Sequence, residues 1–231
     1  MGKFESFQRE DISGQSKRLL FEWMEIDKLC KNNNHISYVV RRKNIEGLPV
    51  EYDITYKVRS IVGVTAPEKV EFVENGETRT KEVRKPVFGD EHILKLSLPN
   101  NFPSARGNPQ LNFISDIWHP NIRSSGMFKG RVCSNEKDLG VITTLAARIL
   151  RIGQYLQYQL YHALDSYPYP EDTQVAGWVR EEAEPMGWIN MREGIFTDYS
   201  NLREKDKQGG KVLVLPREIE LKASGKNIIK I

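Results

Sequence analysis

The chain has 231 residues, 39% of them hydrophobic, a formal net charge of +3 and two cysteines. These totals allow one domain with a full core plus an extension, and they exclude a disulfide-built secreted scaffold; with no Cys-x-x-Cys pair or His-rich cluster, neither a metal nor a cofactor is expected. Residues 201–231 carry eight Lys/Arg against four Asp/Glu, so the rest is near neutral and lacks the basic face that a nucleic-acid groove needs.

The N-terminal stretch has no signal-peptide run, and no segment has the length and apolarity of a bilayer span. The expectation is a soluble, cytoplasmic protein in a reducing compartment, with neither nucleic acid nor membrane among its partners.

Ser13 to Lys31 reads as an amphipathic helix, because Leu19, Trp23, Ile26 and Cys30 recur at helical spacing on one face. Cys30 is therefore expected in the core, where apolar neighbours suppress the thiolate. Ile36–Arg42 and Val50–Val64 are predicted strands, the second alternating Val50, Tyr52, Ile54, Tyr56 and Val58 with Glu51, Asp53, Thr55 and Lys57. Asn75-Gly76 inside Lys69–Val83 predicts a two-residue hairpin turn, since both turn positions take positive φ. His92–Leu98 is a further strand, stopped by Pro99.

Helical spacing returns after Gly140. Leu145, Ile149, Ile152, Leu156, Leu160 and Ala163 predict one long helix, capped by Thr143 or Thr144 and ended by Pro168 and Pro170. Glu171–Glu184 predicts a shorter helix with Pro170 in its first turn and Pro185 beyond its end. The fold class is α+β: an N-terminal helix, an antiparallel β-meander, an irregular segment and two C-terminal helices. Residues 13–185 form the expected catalytic domain. From 187 to 231 the pattern loosens into an extension of uncertain order, in which Phe196, Tyr199, the basic stretch Arg203–Lys211 and the run Val212–Leu215 could dock a partner or fold back on the domain, or form only a poorly ordered tail.

The irregular segment holds Asn101-Phe102-Pro103, Asn108-Pro109-Gln110-Leu111-Asn112-Phe113, Trp118-His119-Pro120-Asn121-Ile122 and Gly130-Arg131-Val132-Cys133. Long irregular stretches inside a domain are usually functional. In this order the motifs resemble the ubiquitin-conjugating enzymes, which have an aromatic-Pro pair, a Pro followed by an apolar-x-Phe strand, a His-Pro-Asn tripeptide and a catalytic Cys shortly after a Gly. The resemblance continues into the acidic turn Tyr167-Pro168-Tyr169-Pro170-Glu171-Asp172. It implies a ubiquitin-conjugating-like fold, Cys133 as the thioester-forming nucleophile, a structural role for His119 and Pro120, and Asp172 as an acidic gate near the Cys. The implied partners are a ubiquitin-like modifier protein, an activating (adenylating) enzyme, a substrate lysine and, in some pathways, a ligase.

The sequence departs from the family at two points. Cys133 lies twelve residues after Asn121, a wider spacing than usual, so Ser124–Lys129 is expected to bulge beside the site; and Asp138-Leu139-Gly140-Val141 stands where a tryptophan commonly follows the Cys. These departures suggest a prokaryotic member, from a ubiquitin-like conjugation or antiphage-defence system.

The residues themselves allow the same chemistry. A thioester carrier needs an accessible thiol that attacks and leaves as thiolate, and Cys133 among Arg131, Ser134 and Asn135 suits that better than a core position does. Asn121 could donate its amide to the oxyanion formed when an amine attacks, or pin the turn after Pro120. Asp172 could take the lysine proton, or favour a helix first turn through the dipole. Two other readings stay open: an idle binder of a ubiquitin-like protein, and a cysteine hydrolase pairing Cys133 with His119.

Overall fold

The computed structural model describes residue 4 and residues 13–74, 77–104, 107–133, 144–167, 169–191 and 194–196. Helix α1 (Gly14–Lys31) starts at Ser13, whose hydroxyl accepts from the Ser16 N–H. It buries Leu19, Trp23 and Ile26, whereas Cys30 sits half-buried at the core's edge. Strands β1 (Ile36–Lys43), β2 (Pro49–Tyr56), β7 (His92–Ser97) and β8 (Gln110–Phe113) form one antiparallel sheet in the order β1-β2-β7-β8. The alternation from Val50 to Tyr56 supplies its inner face: Tyr52, Ile54 and Tyr56 are fully buried against α1 and helix α2 (Leu145–Leu156).

The predicted strand Val50–Val64 is two strands. β2 ends at Tyr56, paired with His92, and a new strand, β3 (Ser60–Val64), pairs with β6 (Pro86–Gly89) in a separate ladder. The break spans residues 57–59, and β3 begins with Ser60 and Ile61 buried in succession. Within this excursion β4 (Glu68–Glu74) pairs with β5 (Glu77–Val83), with Glu74 opposite Glu77, as a two-residue connection requires; Asn75 and Gly76 themselves lie outside the described residues.

Helix α2 is shorter than predicted. Thr144 caps it by accepting from Ala147 N–H, and it stops at Leu156 because Tyr158 takes a left-handed φ of 54°. Leu160 and Ala163 still face inward, but from non-helical chain. The last predicted helix is also shifted. Pro170 lies outside it, Asp172 is the N-cap, α3 runs Thr173–Trp178, and a π-helical turn continues through Val179–Ala183. These elements enclose a second core of Ile61, Tyr158, Ala163, Val175, Ala176, Trp178, Val179 and Ala183. Trp178 donates from its indole to Arg84 O at 2.8 Å, and Arg84 pairs with buried Glu182, which locks β5–β6 onto α3.

The packed region does not end at residue 185. Trp188 and Ile189 lie against the second core, and Phe196 is buried in the first, its ring edge-on to Tyr56 and seated over Gly153. The C-terminal chain therefore folds back over α2 at least as far as Phe196. Tyr199 and the expected docking elements at 203–215 lie outside the described residues, as does Asp138–Val141. Among the described residues no helix is long and apolar enough to cross a membrane.

Candidate active site

The irregular segment is built outward from β8. Phe113 N–H donates to Gly130 O (2.8 Å) and Val132 N–H to Leu111 O (3.1 Å), so 130–132 runs antiparallel beside β8. Gly130 is required there. Its φ is +85°, and a Cβ would come 2.1 Å from Phe113 O. On its other side the same segment pairs with 121–123: Ile122 bridges Val132, Arg123 N–H donates to Arg131 O (3.0 Å), and Cys133 N–H donates to Asn121 O (2.9 Å). The wide spacing therefore does not separate Asn121 from Cys133. Ser124–Lys129 forms the tip of a tight excursion whose two arms place these residues directly opposite each other, where antiparallel pairing puts side chains on the same side. Met127 and Phe128 project from the tip, and the Arg131 guanidinium stacks on Phe128 at 4.4 Å.

The next anchor comes from the chain after α2. Because the helix stops at Leu156, the Leu160 carbonyl and the His162 N–H are not consumed by helix bonds. His119 Nε2 donates to Leu160 O at 3.1 Å, and Asn121 Oδ1 accepts from His162 N–H at 3.1 Å. A backbone N–H can only donate, so the Asn121 oxygen is fixed toward His162 and the NH2 end remains available as a donor.

His119 is fully buried between Tyr155, stacked at 5.2 Å, and Tyr158 at 4.7 Å. Its Nδ1 accepts from Asn121 N–H, so both ring nitrogens are bonded to backbone and the ring is the neutral Nε2–H tautomer. Burial drives its pKa down to about 3, against a smaller opposing effect of the Leu160 carbonyl. It has no nitrogen left to activate a thiol.

Asp172 is buried at the start of α3. The carboxylate expected to meet a lysine is only 3% exposed and accepts four hydrogen bonds, from Ser124 N–H (2.8 Å) and Oγ–H (2.7 Å) and from the N–H groups of Gln174 and Val175 (3.1 Å each). Its own N–H donates to Pro120 O at 2.9 Å. Burial pushes its pKa up, but the bonds from Ser124 and Val175 and the charge of Arg123 together outweigh that, and the net shift is downward. Asp172 therefore joins three segments, the His119–Asn121 turn, the excursion and the start of α3. Its neighbour Glu171 is also engaged, with Arg131 at 2.6 Å and Arg123 at 3.6 Å. Among the described residues no three His, Cys, Asp or Glu side chains converge as a metal would require.

No protein-family model and no curated protein matches this sequence. Among solved structures the chain is similar to the E2 domain of a Toxoplasma gondii ubiquitin conjugating enzyme, at 20% identity and a TM-score of 0.44, over 73% of this chain and 88% of that one.

Two contributors were missed in the sequence. Ser124 and His162 each bind a site residue, but through partners 48 and 41 residues away, and neither belongs to a recognisable motif.

Proposed function

We propose that the chain carries a ubiquitin-like protein as a thioester on Cys133 and transfers it to a lysine amine or a ligase, on a ubiquitin-conjugating-like fold whose catalytic unit runs from residue 13 to at least Phe196. The observation supporting this is the register of Cys133 opposite Asn121. The thiol stands half-buried at the end of a short paired segment, beside an amide whose oxygen is already held by His162 N–H. The free NH2 of Asn121 is then the donor available to an oxyanion formed on a Cys133-bound acyl group. His119, Pro120 and Asp172 hold that geometry. An activating enzyme loads the thiol. A cysteine hydrolase is the weaker reading, because His119 is buried, neutral and bonded through both nitrogens.

Chemical loading tests the reading without knowledge of the native modifier. A fluorescent peptide thioester ending in Gly-Gly should exchange onto Cys133, seen by intact mass as an adduct that dithiothreitol removes and Cys133→Ala lacks. Free lysine should then discharge it faster than it discharges the same peptide on a small thiol, while water should not. Aminolysis no faster than that of the small-thiol ester, or loading confined to Cys30, would overturn the assignment.

A further inference from the structure

The pairing that sets Cys133 opposite Asn121 also decides which side chains share its outer side. Ile122 and Val132 face each other across the two arms and turn inward, Ile122 fully buried and Val132 packed on the core. Side chains alternate along extended chain, so Asn121 and Arg123 on one arm, and Cys133 and Arg131 on the other, turn outward together. The tip of the excursion continues this side. The Arg131 guanidinium lies over the Phe128 ring at 4.4 Å, and both Phe128 and its neighbour Met127 are exposed, Met127 by 90%. Bonds from Lys129 N–H to Gly126 O and from Arg131 N–H to Phe128 O close the tip.

Chain length bounds the distances: Arg131 is two residues from Cys133, within about 7 Å, and Phe128 is five residues away, within about 18 Å. One outward strip therefore carries, in order, the thiol with its amide, a guanidinium pair and an apolar tip. The pair has donors to spare. Each guanidinium has five N–H groups; Arg131 commits its Nε and Nη2 to Glu171 Oε1, and the Arg123 Nε has no hydrogen-bond partner among the described residues. Resting on the thioester-carrier reading above, we infer that this strip selects the acceptor: it takes an extended segment that presents its lysine to the Cys133 acyl carbon, an acidic side chain two residues away to Arg131 and Arg123, and an apolar side chain four residues away to Phe128 and Met127. Alternate residues of an extended chain face one side and advance about 6.6 Å per pair, which matches these steps. The tip comes from the residues that widen the Asn121-to-Cys133 spacing, so the selectivity belongs to the excursion rather than to the fold that carries it.

Single-turnover discharge tests this. Protein loaded with the Gly-Gly peptide thioester is mixed at low salt with N-acetylated acceptor peptides: Lys-Ala-Glu-Ala-Leu, its Glu-to-Gln and Leu-to-Ser relatives, and the same three in reverse order. In one of the two orders the parent should react about threefold faster than the Gln relative and about fivefold faster than the Ser relative. The first preference should shrink at high salt. Each preference is a ratio within one protein, so a change in overall rate cancels. Arg131→Gln should lose the Glu preference, and Met127→Ser combined with Phe128→Ser should lose the Leu preference. Met127→Ser alone probes the tip at a side chain with little packing to disturb, and should weaken the Leu preference if the double variant does not fold. Absence of both preferences in wild type, or preferences undiminished in these variants, overturns the inference. Slower loading with acceptor preferences intact would put the donor peptide on the strip, and overturns it too. Failure of wild type to load, or to outpace the small-thiol ester, removes the carrier reading and this inference with it, whereas uniform peptide rates on a protein that loads remove this inference alone.

Discussion

The position of Asp172 makes a demanding prediction, because a proton-accepting gate and a structural cap respond oppositely to substitution. Asp172→Ala removes an N-cap, worth about 1 kcal/mol. It also removes two bonds from Ser124 to a charged acceptor, worth about 1.5 kcal/mol each at the low end. Relief from burying the charge offsets part of this, and the net expected loss is about 3 kcal/mol. At roughly 2–4 °C per kcal/mol for a domain of this size, the melting temperature should fall by about 6–12 °C. Asp172→Asn keeps the acceptor facing Gln174 and Val175 but turns an NH2 toward Ser124 N–H. The Ser124 hydroxyl can rotate to accept; the backbone N–H cannot, and leaving it unpaired should cost about 1–3 kcal/mol. Urea unfolding of Asp172→Asn, Ser124→Ala and the double variant should show a coupling of at least about 0.5 kcal/mol. If both Asp172 variants unfold within about 0.5 kcal/mol of wild type, load normally and lose only lysine discharge, the reasoning is refuted and the gate role stands.

Acidification should act through His119. The unfolded imidazole binds its proton near pH 6.5 and the buried one only near 3, so the unfolded state holds more protons in between and stability falls as pH drops through that window. By pH 5 the loss is about 2 kcal/mol; it should be absent from His119→Gln, so the wild-type minus His119→Gln difference in urea titrations should fall by about that much between pH 7 and pH 5. Phe196→Ala should cost about 3–5 kcal/mol by urea unfolding, as for a buried ring, and a chain ending at Glu184 should melt well below one ending after Phe196; equal melting would show that the fold-back contributes nothing. Gly130→Ala should lower the melting temperature more than Gly126→Ala, since a Cβ at 130 meets Phe113 O while one at 126, also at positive φ, meets nothing within 4 Å and carries only the backbone strain of about 1–2 kcal/mol.

What the sequence reveals here follows from the range of each interaction. Local ones are legible: Ser13 and Thr144 cap their helices within three residues, and the alternation from Val50 to Tyr56 is a property of one strand. Apolar spacing is less decisive than it looks. Leu160 and Ala163 continue the period of α2 and do face inward, yet the chain carrying them is not helical, because an inward residue satisfies the core from either conformation and Tyr158 decides which one occurs. That termination has a consequence for the site. Had the helix continued, the Leu160 carbonyl and His162 N–H would close intrahelical bonds, and His119 and Asn121 would have no anchors. Asp172 was legible as a carboxylate near the candidate Cys but not as a saturated one, since Ser124 is 48 residues away and serine in a loop carries no signal of its own. A titratable residue's type can be read from its motif. Whether its lone pairs are free depends on long-range partners, and at this site those partners occupy both carboxylate oxygens of Asp172.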